Sequence, residues 1–349
     1  MNLSPTSKHV YSIRSFVAAL LLGSVSTAYP AHVVFNDGLE HVIADAAHQN
    51  DQIQVRNGST LVIEPGAVLG GAVDHSGRIR VYDTSTLVIR GGTLGGAGAQ
   101  SGRTDGWDNA QILIEGGSFG GSGSDSGTII VNANASVRVT GGVFGGVGVK
   151  SGQFEAYTTS KILIEDGAFG GTGGGSGRVL ATHQAEVEVR GGAFGGAGPD
   201  SGTLRANGSS SWRIVGLSFN YPIGINTFPV STLVSLTGAL LNGDALNTKI
   251  ARATAASVEL VGIVFIRGCN TAVEDRFLEA DLTLNEWLAQ VLVEAAFRAR
   301  NHGKFVAAMA HKLNTLVATG VLSWEEHEAI MACVATTDES TLLGGADQG

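Results

Sequence analysis

Cysteine, excess positive charge and long apolar runs are all scarce in this 349-residue chain. Its two cysteines, Cys269 and Cys333, allow a single disulfide, with two free thiols as the alternative. Lys and Arg number 22 against 31 Asp and Glu, and the net charge of −9 provides no cationic footprint for nucleic acid or anionic lipid. The apolar run over residues 16–25 is too short to cross a bilayer, and no later segment is long enough. We therefore expect no nucleic-acid partner and no membrane span.

The N-terminal residues have the organisation of a secretory signal. Lys8 and Arg14 precede the apolar run, and the small residues 26–28 follow it. This order predicts a signal peptide over residues 1–28, cleaved after Ala28 or alternatively after Ala31. A buried N-terminal helix is the competing interpretation. The signal peptide predicts a secreted protein, extracellular or at the cell surface.

Glycine, by contrast, is abundant, with 51 residues, and much of it recurs at one fixed interval. The octet Gly91-Gly-Thr-Leu-Gly-Gly-Ala-Gly98 is followed every 25 residues by a similar octet, starting at Gly116, Gly141, Asp166 and Gly191. A fixed period of this length indicates structural repeats that stack on one another.

When the sequence is written in rows of 25 residues that each begin at the recurring Ser-Gly pair, apolar residues fall in fixed columns. One column reads Ile79, Thr104, Ile129, Phe154, Val179, Leu204, and another reads Leu94, Phe119, Phe144, Phe169, Phe194, Phe219. Apolar positions alternate with variable ones as in strands, and the glycine pairs suit corners. The pattern predicts an all-β, single-stranded parallel β-helix, right-handed because parallel crossovers prefer that hand. We predict about nine coils of 25 residues, counting irregular coils around residues 235–238 and 259–262.

The repeat ends near residue 280, and a helical pattern follows. Thr283 with Glu286, and Ser323 with Glu326, form two capping-box motifs, and another helix is predicted over residues 305–319. The predicted organisation is an N-terminal cap (29–50), a β-helix (51–279), a small α-helical tail (280–336) and a disordered end (337–349). We expect the tail to cover one open end of the β-helix, because an uncapped coil leaves a pairing edge. A disulfide would tie the last coil to this tail.

Part of the tail resembles a short helical tail found in exported bacterial proteins. The resemblance rests on Asn301-His-Gly-Lys-Phe-Val306, Ala310-His311 and Cys333-Val-Ala335. Ala308 stands where that tail has its first cysteine, so the match is partial. The repeat region is similar in architecture to right-handed parallel β-helix proteins, which include pectate-lyase-like enzymes, autotransporter passengers and large adhesins. The two resemblances imply a secreted repeat protein and no particular chemistry.

The outward columns of the first rows hold the candidate site, over residues 78–83 and 103–108. Stacking brings Asp83 beside Asp108 and Tyr82 beside Trp107. Paired carboxylates with aromatic platforms suit sugar binding or glycosidic cleavage. The candidates are Asp83, Asp105 and Asp108 for catalysis, and Tyr82, Trp107, Tyr157 and Arg103 for binding. A solvated strand edge with aspartates in ordinary turns is the alternative, and we favour it.

Two other features bear on ligands and on the recurring serines. The segments that end at Asp125 and Asp200 are similar to a calcium-binding repeat, but the other rows lack this aspartate. We therefore expect no metal site and no cofactor, with Ca²⁺ as the alternative. The serine at the head of each row is expected to join a hydrogen-bonded ladder at a turn.

The regular columns favour a structural or adhesive role at the cell surface or in the extracellular matrix, without catalysis. The alternative is a polysaccharide-binding or polysaccharide-cleaving β-helix, a lyase or hydrolase, that uses the face around residues 78–83 and 103–108. Carbohydrate is the expected class of partner, and self-association through the coil ends is a further expectation.

Overall fold

A computed structural model describes residues 31–279 and 282–338. The predicted signal peptide and residues 339–349 of the predicted disordered end lie outside these described residues. The described chain divides into two compact units, one made of residues up to 213 together with 227–258, and one made of residues 214–226 together with those from 259 onward.

The first unit is a parallel β-solenoid in which each 25-residue row forms one three-sided coil. The partial first coil contains β1 (His32–Phe35) and β2 (Glu40–Ile43). The complete coils contain β3 (Gln52–Val55), β4 (Thr60–Ile63), β5 (Val68–Leu69), β6 (Ile79–Val81), β7 (Thr86–Ile89), β8 (Thr93–Leu94), β9 (Thr104–Gly106), β10 (Gln111–Ile114), β11 (Ser118–Phe119), β12 (Ile129–Val131), β13 (Ser136–Phe144), β14 (Phe154–Ala156), β15 (Lys161–Phe169), β16 (Val179–Ala181), β17 (Glu186–Val189) and β18 (Ala193–Phe194). They are followed by β19 (Leu204–Ala206) and β20 (Ser211–Phe219).

Residues that share a predicted column are paired with one another in the parallel strands. Ile79 pairs with Thr104, Thr104 with Ile129, and Ile129 with Phe154, so equivalent residues of successive coils are direct neighbours. The predicted parallel β-helix fold class, with its C-terminal helices, is confirmed. The segment predicted as an N-terminal cap contributes β1 and β2, which pair in parallel with β3 and β4.

The predicted number of coils was too high: the solenoid has about six turns rather than nine. Residues 235–238 lie in β22 (Val234–Leu240), which pairs antiparallel with β23 (Ala245–Arg252). Residues 259–262 lie in β24 (Ser257–Ile266), which pairs antiparallel with β25 (Cys269–Asp275). Both segments therefore form hairpins, whose alternation of apolar residues is the same as that of a coil strand. The remaining strands are β21 (Gly224–Ile225), β26 (Phe277–Glu279) and β27 (Leu282–Thr283).

Stacked aromatic rings fill one corner of the solenoid interior. The ring centroids of Phe119 and Phe144 are 4.7 Å apart, those of Phe144 and Phe169 4.8 Å, and those of Phe169 and Phe194 4.7 Å. These separations follow the spacing of paired strands. Each buried ring contributes about 1.5–3 kcal/mol to folding, so the column is a large part of the core.

The serine ladder predicted from the row heads is present. Ser126, Ser151, Ser176 and Ser201 are buried, and each hydroxyl accepts a hydrogen bond from the backbone N–H of the glycine 30 residues earlier, at 2.7–2.8 Å. These hydroxyls therefore connect coils.

The second unit includes the hairpin of β24 and β25 and three helices, α1 (Leu284–Arg298), α2 (His302–Ala318) and α3 (Trp324–Ala335). Both predicted capping boxes are formed, at Thr283 and Ser323. Helix α2 begins earlier than predicted because the Asn301 side chain caps it, accepting the Lys304 N–H at 3.0 Å. Val264 and Val273 of the hairpin share one buried cluster with Phe305 of α2 and residues of the other helices.

One disulfide is present, joining Cys269 of β25 to Cys333 of α3, with Cα atoms 5.6 Å apart. Beyond α3, Thr337 is buried and donates a hydrogen bond to the Cys333 carbonyl at 2.9 Å. Among the described residues, no helix is long and apolar enough to cross a membrane.

Candidate functional site

The candidate residues lie on or beside one flat side of the solenoid, which we call face 1. Face 1 is formed by the first strand of each coil: β3, β6, β9, β12, β14, β16 and β19. Within these strands, and at the residue just before each, side chains alternate between the interior and the outer surface of the solenoid. Its outward positions hold five arginines and two carboxylates: Arg78, Arg80, Arg103, Arg178, Arg205, Asp105 and Glu155. Face 1 is therefore cationic in a chain whose net charge is −9.

Asp105 lies at the centre of a cluster near the N-terminal end of face 1. The side chain is fully buried, although its position in the strand is an outward one. Its Oδ2 accepts a hydrogen bond from Arg78 Nε at 2.6 Å, and its Oδ1 accepts one from Arg103 Nε at 2.7 Å. Arg103 also donates to Gln100 Oε1 at 3.3 Å. Two guanidinium groups thus occupy both oxygens of Asp105, which leaves this carboxylate poorly placed to act as a base or nucleophile.

Asp83 and Asp108 occupy equivalent turn positions in neighbouring coils, as the stacked rows placed them. Both have a φ of 59°, and the Asn109 N–H donates to the Asp83 carbonyl at 2.9 Å. Asp83 Oδ2 accepts the Asn57 N–H at 3.2 Å, and Asp108 Oδ2 accepts the Asp83 N–H at 3.3 Å. Each carboxylate therefore bonds the backbone of the preceding coil, a role that aspartate commonly takes in turns.

The three aromatic candidates share one position at the edge of face 1, but their surroundings differ. The Arg56 guanidinium lies 4.3 Å from the ring centroid of Tyr82, in a cation–π contact. Trp107 is 39% exposed, so part of its indole is accessible to a ligand. Tyr157 is half-buried, and its hydroxyl donates to Glu155 Oε2 at 2.7 Å. Trp107 is therefore the best placed of the three to stack on a sugar.

A second polar cluster lies two coils further along face 1, and of its members only Tyr157 was a candidate from the sequence. Glu155 accepts hydrogen bonds from Tyr157 and from the buried side chain of Gln153. Gln153 Oε1 in turn accepts from Arg178 Nη2 at 3.0 Å. Reading the third and fifth columns of the rows for polar residues would have identified these side chains.

The protonation of the second cluster favours binding over acid–base chemistry. Burial, and secondly the hydrogen bond to Glu155, raises the pKa of Tyr157 to about 12, so the phenol is a neutral donor. Burial, and secondly the charge of Arg205, lowers the pKa of Arg178 below its usual value. Both groups keep their ordinary protonation near neutral pH.

Asp105 and Glu155 stand in the same column, with Ile130 between them. Two strand spacings separate their backbones by ~10 Å. A pair of carboxylates at such a distance is reminiscent of an acid–base pair in glycoside hydrolysis. Here, however, Asp105 is bonded to two arginines, and both oxygens of Glu155 are bonded to Gln153 and Tyr157. The arrangement lacks the unengaged carboxylate that would activate water.

A separate groove of about 670 Å³ runs along the second side of the solenoid, which we call face 2. Its lining includes the apolar side chains of Val88, Leu113 and Leu163. The charged residues that line it take part in ion pairs across coils, such as Arg138 with Glu165 at 2.6 Å and Lys161 with Glu186 at 2.8 Å. None of the residues selected from the sequence lines this groove.

The two aspartates of the calcium alternative lie in turns. Asp125 and Asp200 have φ values of 53° and 56°, and Asp200 Oδ2 accepts from Arg205 Nη2 at 3.0 Å. Across the part of the chain that the structure describes, no three His, Cys, Asp or Glu side chains are grouped so as to hold a metal ion.

Comparison with known proteins gives no family model, no curated relative and no solved structure that matches the chain.

Proposed function

We propose that this chain is a non-catalytic β-solenoid with a structural or adhesive role, secreted to the cell surface or the extracellular matrix. The observation that carries the proposal is the engagement of the candidate catalytic carboxylates. Asp105 bonds two arginines, while Asp83 and Asp108 bond backbone N–H groups. Catalysis by these groups would require them to leave the bonds that hold neighbouring coils together.

The regular stacking of the coils also supports an adhesive role. Outward side chains of successive coils are repeated at the strand spacing of ~4.8 Å, which gives an extended surface rather than a deep pocket. Surfaces of this kind suit partners that are themselves extended, such as polysaccharides. The proposed partner class is therefore carbohydrate, in agreement with the prediction from the sequence.

Incubation of the protein with neutral and acidic polysaccharides tests the proposal, with soluble products and bound protein measured in parallel. We expect retention on at least one polysaccharide, and no release of reducing ends or unsaturated products. Asp108→Ala and Asp105→Asn should leave product formation at the blank level. Release of products by the wild type that Asp108→Ala abolishes would establish the polysaccharide-cleaving alternative instead.

A further inference from the structure

We infer that face 1 is a binding site for an acidic polysaccharide, whose carboxylate or sulfate groups contact two separate groups of arginines. The inference rests on the proposed adhesive function and specifies its ligand. It is carried by the charge of face 1, by the position of the exposed Trp107, and by the distance between the two groups of arginines.

The first group of arginines has more positive than negative charge. Arg78 and Arg103 share one anion, Asp105, so the trio keeps one net positive charge. Arg80 is half-buried in β6, and its side chain has no hydrogen bond or ion pair with any described residue. Arg56 adds a further exposed cation over the Tyr82 ring. An anionic ligand would supply the partner that the Arg80 guanidinium lacks.

The same end of face 1 offers an aromatic surface. Trp107 directly follows β9, and its backbone N–H donates to the Val81 carbonyl at 2.9 Å, which places this residue next to the end of the strand that carries Arg80. An exposed indole stacks well on the apolar side of a sugar ring. Asp83 and Asp108 lie at the adjoining turn, so this end of face 1 has the four arginines Arg56, Arg78, Arg80 and Arg103 against three carboxylates, Asp83, Asp105 and Asp108. A cation and an aromatic surface side by side are what a charged sugar requires.

The second group consists of Arg178 and Arg205. Leu180 pairs with Arg205, so the two arginines are diagonal neighbours on adjacent strands. Arg205 Nη2 donates to Asp200 Oδ2 and Arg178 Nη2 donates to Gln153 Oε1, both at 3.0 Å, but the Nε atoms of both arginines are buried without a hydrogen-bond partner. Burial first, and then the charge of Arg205, lowers the pKa of Arg178, while Glu155 and Asp200 act in the opposite direction. An anion placed between the two arginines would further offset their repulsion.

The distance between the two groups indicates a polymer rather than a small anion. Arg103 and Arg178 are three coils apart, which is ~14 Å at the strand spacing. The column positions between them hold the uncharged Thr128 and Gln153. A ligand that contacts both groups must therefore be several sugar units long. Nucleic acid is the competing polyanion, and a protein of net charge −9 has no general attraction for it.

Binding to matched polymers tests the inference. Dextran sulfate and dextran differ only in charge, alginate adds a carboxylate polymer, and single-stranded DNA is the competing polyanion. Affinity is measured by tryptophan fluorescence and by calorimetry at two salt concentrations. We expect dextran sulfate and alginate to bind at least about tenfold more tightly than dextran, with affinity falling as salt rises. Tighter binding of single-stranded DNA at the same salt, or equal binding of dextran, would overturn the inference.

Two variants with the same change of charge locate the site. Arg80→Gln should weaken alginate binding about tenfold, the value of one charge-assisted hydrogen bond. Arg90→Gln, on face 2 in an exposed pair with Glu64, should leave it unchanged. Equal weakening by both variants would mean a general charge effect and would contradict a site on face 1. Trp107→Ala should weaken binding and remove the fluorescence change.

Chain length tests the second group of arginines. Arg178→Gln should weaken binding of long alginate chains, and it should leave unchanged the binding of oligomers too short to span ~14 Å. Equal effects on short and long chains would contradict a two-group site.

If no acidic polymer binds, while another polysaccharide retains the protein without being cleaved, this inference fails and the proposed function stands. Cleavage of any polymer would overturn the proposed function itself.

Discussion

Ser151 and Gly121 join neighbouring coils through two hydrogen bonds between the same pair of residues. The Gly121 N–H donates to Ser151 Oγ at 2.8 Å, and that hydroxyl donates back to the Gly121 carbonyl at 3.2 Å. Ser151 is fully buried. The same arrangement recurs at Ser176 with Gly146 and at Ser201 with Gly171. The serines are therefore part of the framework of the fold, which explains why they recur without forming a nucleophilic site.

Ser151→Ala should destabilise the solenoid, because it leaves the half-buried Gly121 N–H without its acceptor. We expect the free energy of unfolding to fall by about 1–3 kcal/mol, the usual cost of such an unsatisfied group. Ser118→Ala is the matched control, because Ser118 is exposed in β11 and should change stability by less than about 0.5 kcal/mol. Urea denaturation measures both, and equal stability of the two variants would contradict the structural role of Ser151.

Gly145 is a position where only glycine fits. Its φ is 141°, and a Cβ added to it would lie 1.8 Å from the Gly170 carbonyl oxygen of the next coil. Gly145→Ala should therefore lower the free energy of unfolding by at least about 3 kcal/mol, since both the backbone conformation and the coil spacing must change.

Gly174→Ala is the control for that experiment. A Cβ on Gly174 would meet nothing closer than Pro199 Cγ at 3.6 Å, an ordinary contact. The substitution should be neutral or stabilising by about 0.4–1 kcal/mol, because alanine restricts the unfolded chain. Thermal unfolding compares the two variants, and a similar loss of stability in both would mean that coil spacing does not depend on Gly145.

The packing of the inward-facing side chains could be predicted from the sequence, whereas the contacts of the outward-facing side chains could not. Phe119 and Phe144 stack because an unbroken period of 25 residues places equivalent residues one strand spacing apart. Asp105 occupies an outward position and was expected to be exposed. It is buried because Arg78 and Arg103 fold over it. Such lateral contacts depend on side-chain rotamers, about which a column of residue types carries no information.

The number of coils was overestimated for a related reason. Alternation of apolar and polar residues identifies a strand without giving the direction of its partner. The segment around Leu236 alternates like a coil strand, yet β22 and β23 pair antiparallel. In this region the exact 25-residue period is absent, and that loss of period was the available signal that the solenoid had ended.

The Cys269–Cys333 disulfide closes a segment with a sequence separation of 64 residues. Chain-entropy arguments assign roughly 4 kcal/mol to a loop of this length. In the double variant Cys269→Ala/Cys333→Ala, the helical unit should therefore unfold locally more often, and hydrogen exchange should become faster in α3. The amides of β13 and β15 serve as the internal control and should exchange at unchanged rates. Unchanged exchange in α3 would contradict a stabilising role for the disulfide.

Tyr157 should make the alkaline stability of the solenoid depend on pH. Its pKa is raised to about 12, first by burial and then by the hydrogen bond to Glu155, whereas an unfolded tyrosine titrates near pH 10. Because the folded pKa is the higher one, the neutral phenol stabilises the fold fully below about pH 10, and this contribution is lost as the pH rises towards 12.

Tyr157→Phe should abolish this dependence. Thermal unfolding measured at intervals from about pH 9 to pH 12 should fall more steeply for the wild type than for Tyr157→Phe, and absorbance titration should show one late-ionising tyrosine fewer in the variant. Identical pH profiles would mean that burial and the hydrogen bond to Glu155 do not hold the phenol in its neutral form.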